Sequence, residues 1–312
     1  MENRRLISFG RSSYVISLPQ LWIKKHKLEK GANIAIEELN EGLLIFPQEL
    51  EKKQINNEII IRTENKPIDT IRREIASAYI RGFNTFIITG NDVKDKAGEI
   101  SAFIQYLMAL EIVEQTSNKI VAKDFLNIKE VSLENFVRKI DVSLRSMFQD
   151  VKNQDISVLK HTIKRDEDIN RLTFLIQRAI KLGLKEPSVA KQINETPETL
   201  LQYWRLVSHL ERIGDDLKEI AGIIVSKKIP PKLQKSAETF LSEIEQQYVM
   251  IVRAYYEKDE KIALEATTMK ESIMEKGNKL LEKSKDPSFV LLVDRMKHLA
   301  FNVNHFARIV YI

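Results

Sequence analysis

Glu211 and Asp215 lie four residues apart in the run His209–Ala221, which reads HLERIGDDLKEIA. At that spacing two carboxylates share one side of a helix and repel by roughly 0.2–0.5 kcal/mol. Gly214 between them costs about 1 kcal/mol against alanine in a helix interior. A cation held between the carboxylates would remove the repulsion, and a close helix contact would account for the glycine. The plainer reading of Glu211 is an ion pair with Arg212 or Lys218, worth about 0–1 kcal/mol if exposed. Tyr203, Val207, Leu210, Gly214, Leu217, Ala221 and Ile224 recur at alternating spacings of four and three. That periodicity predicts a helix with a narrow apolar seam facing partner helices.

Other chemistry is sparse. The five histidines, His26, His161, His209, His298 and His305, form no HExxH or comparable ligand spacing. His298 and His305 stand seven apart on one helical stripe, a position that packing or solvent explains. There is no GxGxxG, phosphate-loop lysine or nucleophile elbow. Without cysteine the chain has no disulfide, no thiolate nucleophile and no cysteine-ligated zinc or iron–sulfur cluster. These absences predict a protein that is not an enzyme. A metal-dependent phosphohydrolase is a third and weaker reading.

The elements that must position these residues follow from the rest of the chain. With 312 residues, 43% hydrophobic and 30% charged, it has room for two or three folded domains. No stretch approaches the length of a membrane span, and Arg4 and Arg5 precede only a short apolar run, unlike a signal peptide. A cytoplasmic location without membrane insertion is expected. Residues 1–50 read as short strands, Arg4–Ser8, Tyr14–Leu18, Ala32–Leu39 and Leu43–Phe46, with a helix from Gln20 to His26 and a turn at Asn40-Glu41-Gly42. So small a β module buries too little apolar surface to stand alone, and a second copy is the simplest partner. Its first thirty residues hold seven basic residues against two acidic ones, although the whole chain carries only +5. That excess suits either a solvated surface or a phosphate-binding face.

The run GRSSYVISLPQLWIKKHKLEKGANIAIEELNEGLLIFP resembles the swapped-hairpin DNA-binding modules of the AbrB, SpoVT and MazE type. The resemblance implies an intertwined homodimer, a β-barrel shared between two chains, and contact with duplex DNA through Arg4, Arg5 and Arg11, with Lys24 and Lys25 beside them. Some members of that fold only dimerise.

Residues 58–127 alternate: a strand at Ile59–Ile61, a helix over Pro67–Arg81, a strand over Thr85–Ile88, a helix over Asp95–Ala109, and a hairpin of Glu111–Glu114 with Lys119–Ala122. This predicts a small α/β domain. Arg72, Arg73 and Arg81 read as a solvated helix face or an anion contact.

Residues 128–312 are helical and repeat internally. A shift of 104 lays Leu133–Asp155 on Ala237–Asp259, and a shift of 89 lays His209-Leu210 on His298-Leu299, so the second copy has lost 15 residues between its second and third helices. Pro230-Pro231 separates a first three-helix bundle, 128–229, from a second, 232–312. The duplicated unit with LERIGDD in its third helix resembles the PhoU family of phosphate-uptake regulators. Joined to an AbrB-like module and an α/β segment, it resembles the archaeal type. The fold class expected is therefore multidomain and mainly α.

The resemblance implies metal ions on carboxylates paired i, i+4 on the second and third helices, in oxygen-rich sites suited to Mg²⁺, Mn²⁺ or iron. Glu211 and Asp215 match the third-helix pair and Asp166 the first position of the second-helix pair, but Asn170 stands where a second carboxylate is usual. In the second copy Lys270, Met274, Ala300 and Asn304 occupy the four positions. At most one divalent or iron-type metal site per chain is expected, on Asp166, Glu211 and Asp215, or none. Asp166, flanked by Lys164, Arg165 and Glu167, also reads as a solvated helix surface.

Together these readings predict a dimeric, DNA-binding regulator of phosphate uptake whose bundles take a signal from a phosphate transporter or sensor protein. The alternative is an adaptor that binds such a protein and uses its first module only to dimerise.

Overall fold

The computed structural model describes residues 3–39, 42–47, 57–227 and 229–311. The Asn40-Glu41 turn lies outside them. The chain forms two compact units, residues 1–55 and 56–312.

In the first unit β1 (Ile7–Phe9) pairs antiparallel with β2 (Ser13–Val15), α1 covers Gln20–Lys25, and β3 (Ile34–Leu39) pairs antiparallel with β4 (Gly42–Pro47). Both hairpins stand where the alternation put them. The first two strands are shorter than expected, because pairing begins only at Ile7↔Val15. The expected barrel is not closed. Among the described residues the hairpins are separate two-stranded sheets. None of the side chains described between Asn3 and Pro47 is buried. Leu6, Phe9, Tyr14 and Leu21 are all more than 60% exposed.

The second unit opens with a four-stranded sheet ordered β5-β6-β8-β7: β5 (Glu58–Arg62), β6 (Thr85–Thr89), β7 (Leu110–Gln115) and β8 (Lys119–Asp124). α2 (Ile68–Ile80) crosses from β5 to its parallel neighbour β6, and α3 (Val93–Tyr106) leads to the antiparallel β7–β8 hairpin. The side chains of Ile71, Ile75, Phe86, Ile88, Ile100 and Ile104 form its core. α3 stops three residues before the expected end, because Leu107 is extended and Ala109 is left-handed at φ 61°. α2 closes on a Schellman cap, with Gly82 N–H bonded to Tyr79 O and Phe83 N–H to Ala78 O at 3.0 and 3.2 Å. Gly82 suits this cap by its backbone conformation, and Leu182 packs close over it. Its φ is +86°, and a Cβ there would lie 2.6 Å from Leu182 Cδ2.

The helical repeat is α4 (Leu133–Asn153), α5 (Ile156–Lys185) and α7 (Pro197–Ser226), followed by α8 (Pro231–Glu257), α9 (Glu260–Lys283) and α10 (Pro287–Phe306). The short α6 (Pro187–Gln192) belongs to the first copy, and α11 (Arg308–Tyr311) ends the chain. The 104-residue shift holds in detail. Gln154 and Lys258 both end their helices left-handed, at φ 55° and 54°, and Asp155 and Asp259 both cap the next helix. The segment missing from the second copy corresponds to the end of α5, α6 and the loop after it.

The structure adds to one sequence reading and changes another. The bundles share one continuous core from Val131 to Ala307, which the sequence did not show; Pro230-Pro231 does fall between α7 and α8 and separates the two copies along the chain, as expected. The face of α7 is also wider than a narrow seam. Leu206, Ile213, Asp216 and Ile220 are buried along with Val207, Leu210 and Leu217, because α7 packs on α5 and also on α10.

Candidate functional site

The acidic site forms where α5 crosses α7. Gly214 allows the approach, since a Cβ there would lie 3.3 Å from Ile169 Cδ1 and 3.5 Å from Asp166 Oδ1. The close-contact reading of this glycine is thus the one the structure bears out. Asp166 is only 2% exposed, which corrects its reading as a solvated surface residue. It lies on the inward stripe of α5 with Thr162, Ile169 and Thr173.

Asp166 meets its counter-charge from α7. Lys218 Nζ donates to Asp166 Oδ2 at 2.6 Å and to Asp215 Oδ1 at 3.1 Å. Lys218 is therefore the ion-pair partner of Asp166 and Asp215, whereas the sequence had offered it to Glu211. Asn170 Nδ2 also donates to Asp166 Oδ2, at 3.0 Å, while Asp166 Oδ1 is buried without a hydrogen-bond partner.

The electrostatics follow from three carboxylates and one ammonium. Burial, then the charges of Asp215 and Asp166, push the Glu211 carboxyl up to about 7. Burial also raises Asp166, against the pull of Lys218. Burial pulls Lys218 down, but its bonds to Asp166 and Asp215 prevail and hold the ammonium above its ordinary value.

A metal ion does not fit this arrangement as it stands. The oxygens that would face a cation, Asp166 Oδ2 and Asp215 Oδ1, already face the Lys218 ammonium, and Asn170 presents a donor where a ligand is needed. Among the described residues no three His, Asp or Glu side chains are placed to hold a metal ion.

The equivalent place in the second copy holds no carboxylate at the four matching positions. Asn304 is buried and its Oδ1 accepts from Gln247 Nε2 at 3.3 Å, which also donates to Ala266 O at 2.8 Å. Lys270 Nζ sits 5.4 Å from the centre of the Phe301 ring.

On the other side of α7, Asp216 joins the two copies. It is 2% exposed, with Asn302 Nδ2 donating to Oδ2 at 2.6 Å, His298 Nδ1 2.8 Å from Oδ1, and Arg295 3.5 Å away. His298 thus contacts a carboxylate, and His305 lies tilted against Phe301 with ring centres 4.3 Å apart. Asp141 makes a second joint between the copies, accepting from Tyr248 of α8 at 2.8 Å and from Arg145 at 3.0 Å. Sequence reasoning missed both joints. The only signal was an acidic residue on an otherwise apolar stripe.

The basic residues singled out in the first unit, Arg4, Arg5, Arg11, Lys24 and Lys25, are all exposed. Arg4 and Arg5 lie at the open end of the first hairpin, where Arg4 Nη1 donates to Ser17 Oγ at 3.5 Å, whereas Arg11 lies at its tip and the lysines in the last turn of α1. Arg72 pairs with Glu99 and Asp69 on an exposed surface, which favours the solvated-face reading over an anion contact.

The second unit is thus an α/β layer joined to a duplicated three-helix bundle, with an acidic site between the second and third helices of the first copy. Residues 135–224 match the family model described as PhoU domain, a span from α4 to α7 that contains all three candidate carboxylates. No curated protein and no solved structure matches the chain. Among the described residues no helix is long and apolar enough to cross a membrane.

Proposed function

We propose that the chain is a cytoplasmic, non-enzymatic regulator of phosphate uptake and intracellular phosphate balance. It acts as a homodimer whose first module contacts duplex DNA, while the bundles receive a signal from a phosphate transporter or sensor protein. The observation that carries this reading is the PhoU-domain match over residues 135–224. The dimer is supported by the absence of any buried side chain among those described between residues 3 and 47. A module of that kind needs strands from another chain, and an AbrB-like barrel built from two copies supplies them. The DNA contact is supported by the exposed Arg4, Arg5, Arg11, Lys24 and Lys25.

Affinity for duplex DNA should fall as salt rises, with a log–log slope of about −0.9 for each phosphate contacted. Replacing Arg4, Arg5 and Arg11 by alanine should flatten that slope. Removing the bundles should leave it nearly intact. The second reading, an adaptor that only dimerises through this module, is favoured by the exposed apolar side chains Leu6, Phe9, Tyr14 and Leu21. Chromatin occupancy of the tagged protein with and without phosphate starvation separates the two. Enrichment at promoters supports the regulator, and its absence together with co-purified transporter subunits supports the adaptor.

A further inference from the structure

We propose that Lys218 is the resident cation of the acidic site: its ammonium takes the place of a divalent ion between Asp166 and Asp215, and removing it frees the oxygens of those two carboxylates for a metal ion. The first support is geometric. Lys218 lies one turn after Asp215 on α7, yet its Nζ reaches 2.6 Å from Asp166 Oδ2 on α5, so one ammonium bridges the two helices that carry the carboxylates. A metal ion bound by carboxylates makes the same bridge.

The second support is the unequal state of Asp166. Its side chain is almost wholly buried, with Oδ2 fully engaged by Lys218 and Asn170 and Oδ1 buried without a partner. A buried carboxylate oxygen left bare costs free energy, and a tethered ammonium of limited reach satisfies only one of the pair. A small ion between α5 and α7 has no such tether.

The third support comes from the repeat. The 89-residue shift that lays Glu211 on Ala300 and Asp215 on Asn304 lays Lys218 on Ala307, which is fully buried. Where the third-helix carboxylates are gone, the lysine is gone with them. That pattern assigns Lys218 to the carboxylates and not to helix packing or solubility.

The experiment is equilibrium dialysis of the full chain against Mn²⁺ with elemental analysis, for the natural sequence, Asp166→Asn, Lys218→Met, Lys218→Arg, and Lys218→Met with Asp166→Asn. Lys218→Met is expected to retain about one equivalent and to bind Mn²⁺ roughly tenfold or more tightly than the natural chain, because a like charge has left the site. Lys218→Arg should resemble the natural chain, and the added Asp166→Asn should abolish retention. Should Lys218→Met not fold alone, Mn²⁺ present during refolding is expected to restore its helical circular dichroism. A natural chain that holds stoichiometric Mn²⁺ and loses it with Asp166→Asn would overturn the proposal. So would a folded Lys218→Met chain that retains no Mn²⁺, or an unfolded one that Mn²⁺ does not rescue.

Discussion

Glu211 carries the least compensated charge in the acidic site, since Lys218 faces Asp166 and Asp215 instead. Glu211→Gln removes a charge that both neighbours oppose, and a gain of about 0.5–1 kcal/mol is expected, read as a higher urea midpoint at unchanged slope. A lower midpoint would contradict this account of the site. His209 gives a pH dependence. Burial, then the positive charges of Arg212, His305 and Arg205, lower its imidazole from 6.5 to about 4. Between those values the unfolded chain binds a proton that the folded chain refuses, so stability falls as pH drops through that window and is unaffected above it. The linkage is worth about 1–3 kcal/mol for a half-buried ring; because Glu211, raised to about 7, works in the opposite direction over the same range, His209→Leu should flatten stability between pH 7 and pH 4 when made together with Glu211→Gln. The sequence made the Glu211–Asp215 pair legible because a four-residue spacing is local. It could not show that Lys218 answers Asp166, 52 residues away, because that depends on where α5 crosses.

Among the elements, α5 has two masters. One face packs in the bundle, and the other meets the α/β layer through Arg178, which is 1% exposed. Arg178 donates to the carbonyls of Tyr79 and Phe83 and pairs with Asp124. Arg171 Nε donates to Tyr106 O, and Tyr106 OH to Glu167 O, both at 2.8 Å. Arg178→Met leaves Asp124 without its cation, at a cost of about 3–5 kcal/mol. Amide exchange should quicken in α2 and β8 more than in α7; equal exchange across all three would show that Arg178 does not join the layer to the bundle. The elements from β1 to β8 were readable from periods of 3.6 and 2 residues and from the turns, with ends placed within three residues, whereas α6 and α11 were not foreseen. Nor was Arg178, since on α5 it looks like any other charged helix residue and its partners lie far off in sequence.

Across the whole molecule, the continuous core predicts that both bundles melt together. Calorimetry of residues 57–312 should show no separate transition for the second copy, and a fragment ending at Lys227 should lose cooperative melting, because α8 and α10 cover α4 and α7. A fragment that melts sharply at the parent temperature would make the copies independent. The repeat was plain in the sequence, but the shared core was not. Periodicity reports that a helix has an apolar face without saying which neighbour covers it. Asp215 and Asp216 are consecutive, yet one faces the lysine-bridged site in the first copy and the other is gripped by His298 and Asn302 of the second. On a stiff helix adjacent residues keep a fixed angular phase. A rotation of α7 about its axis would therefore displace both carboxylates together, since no break in the helix lies between them.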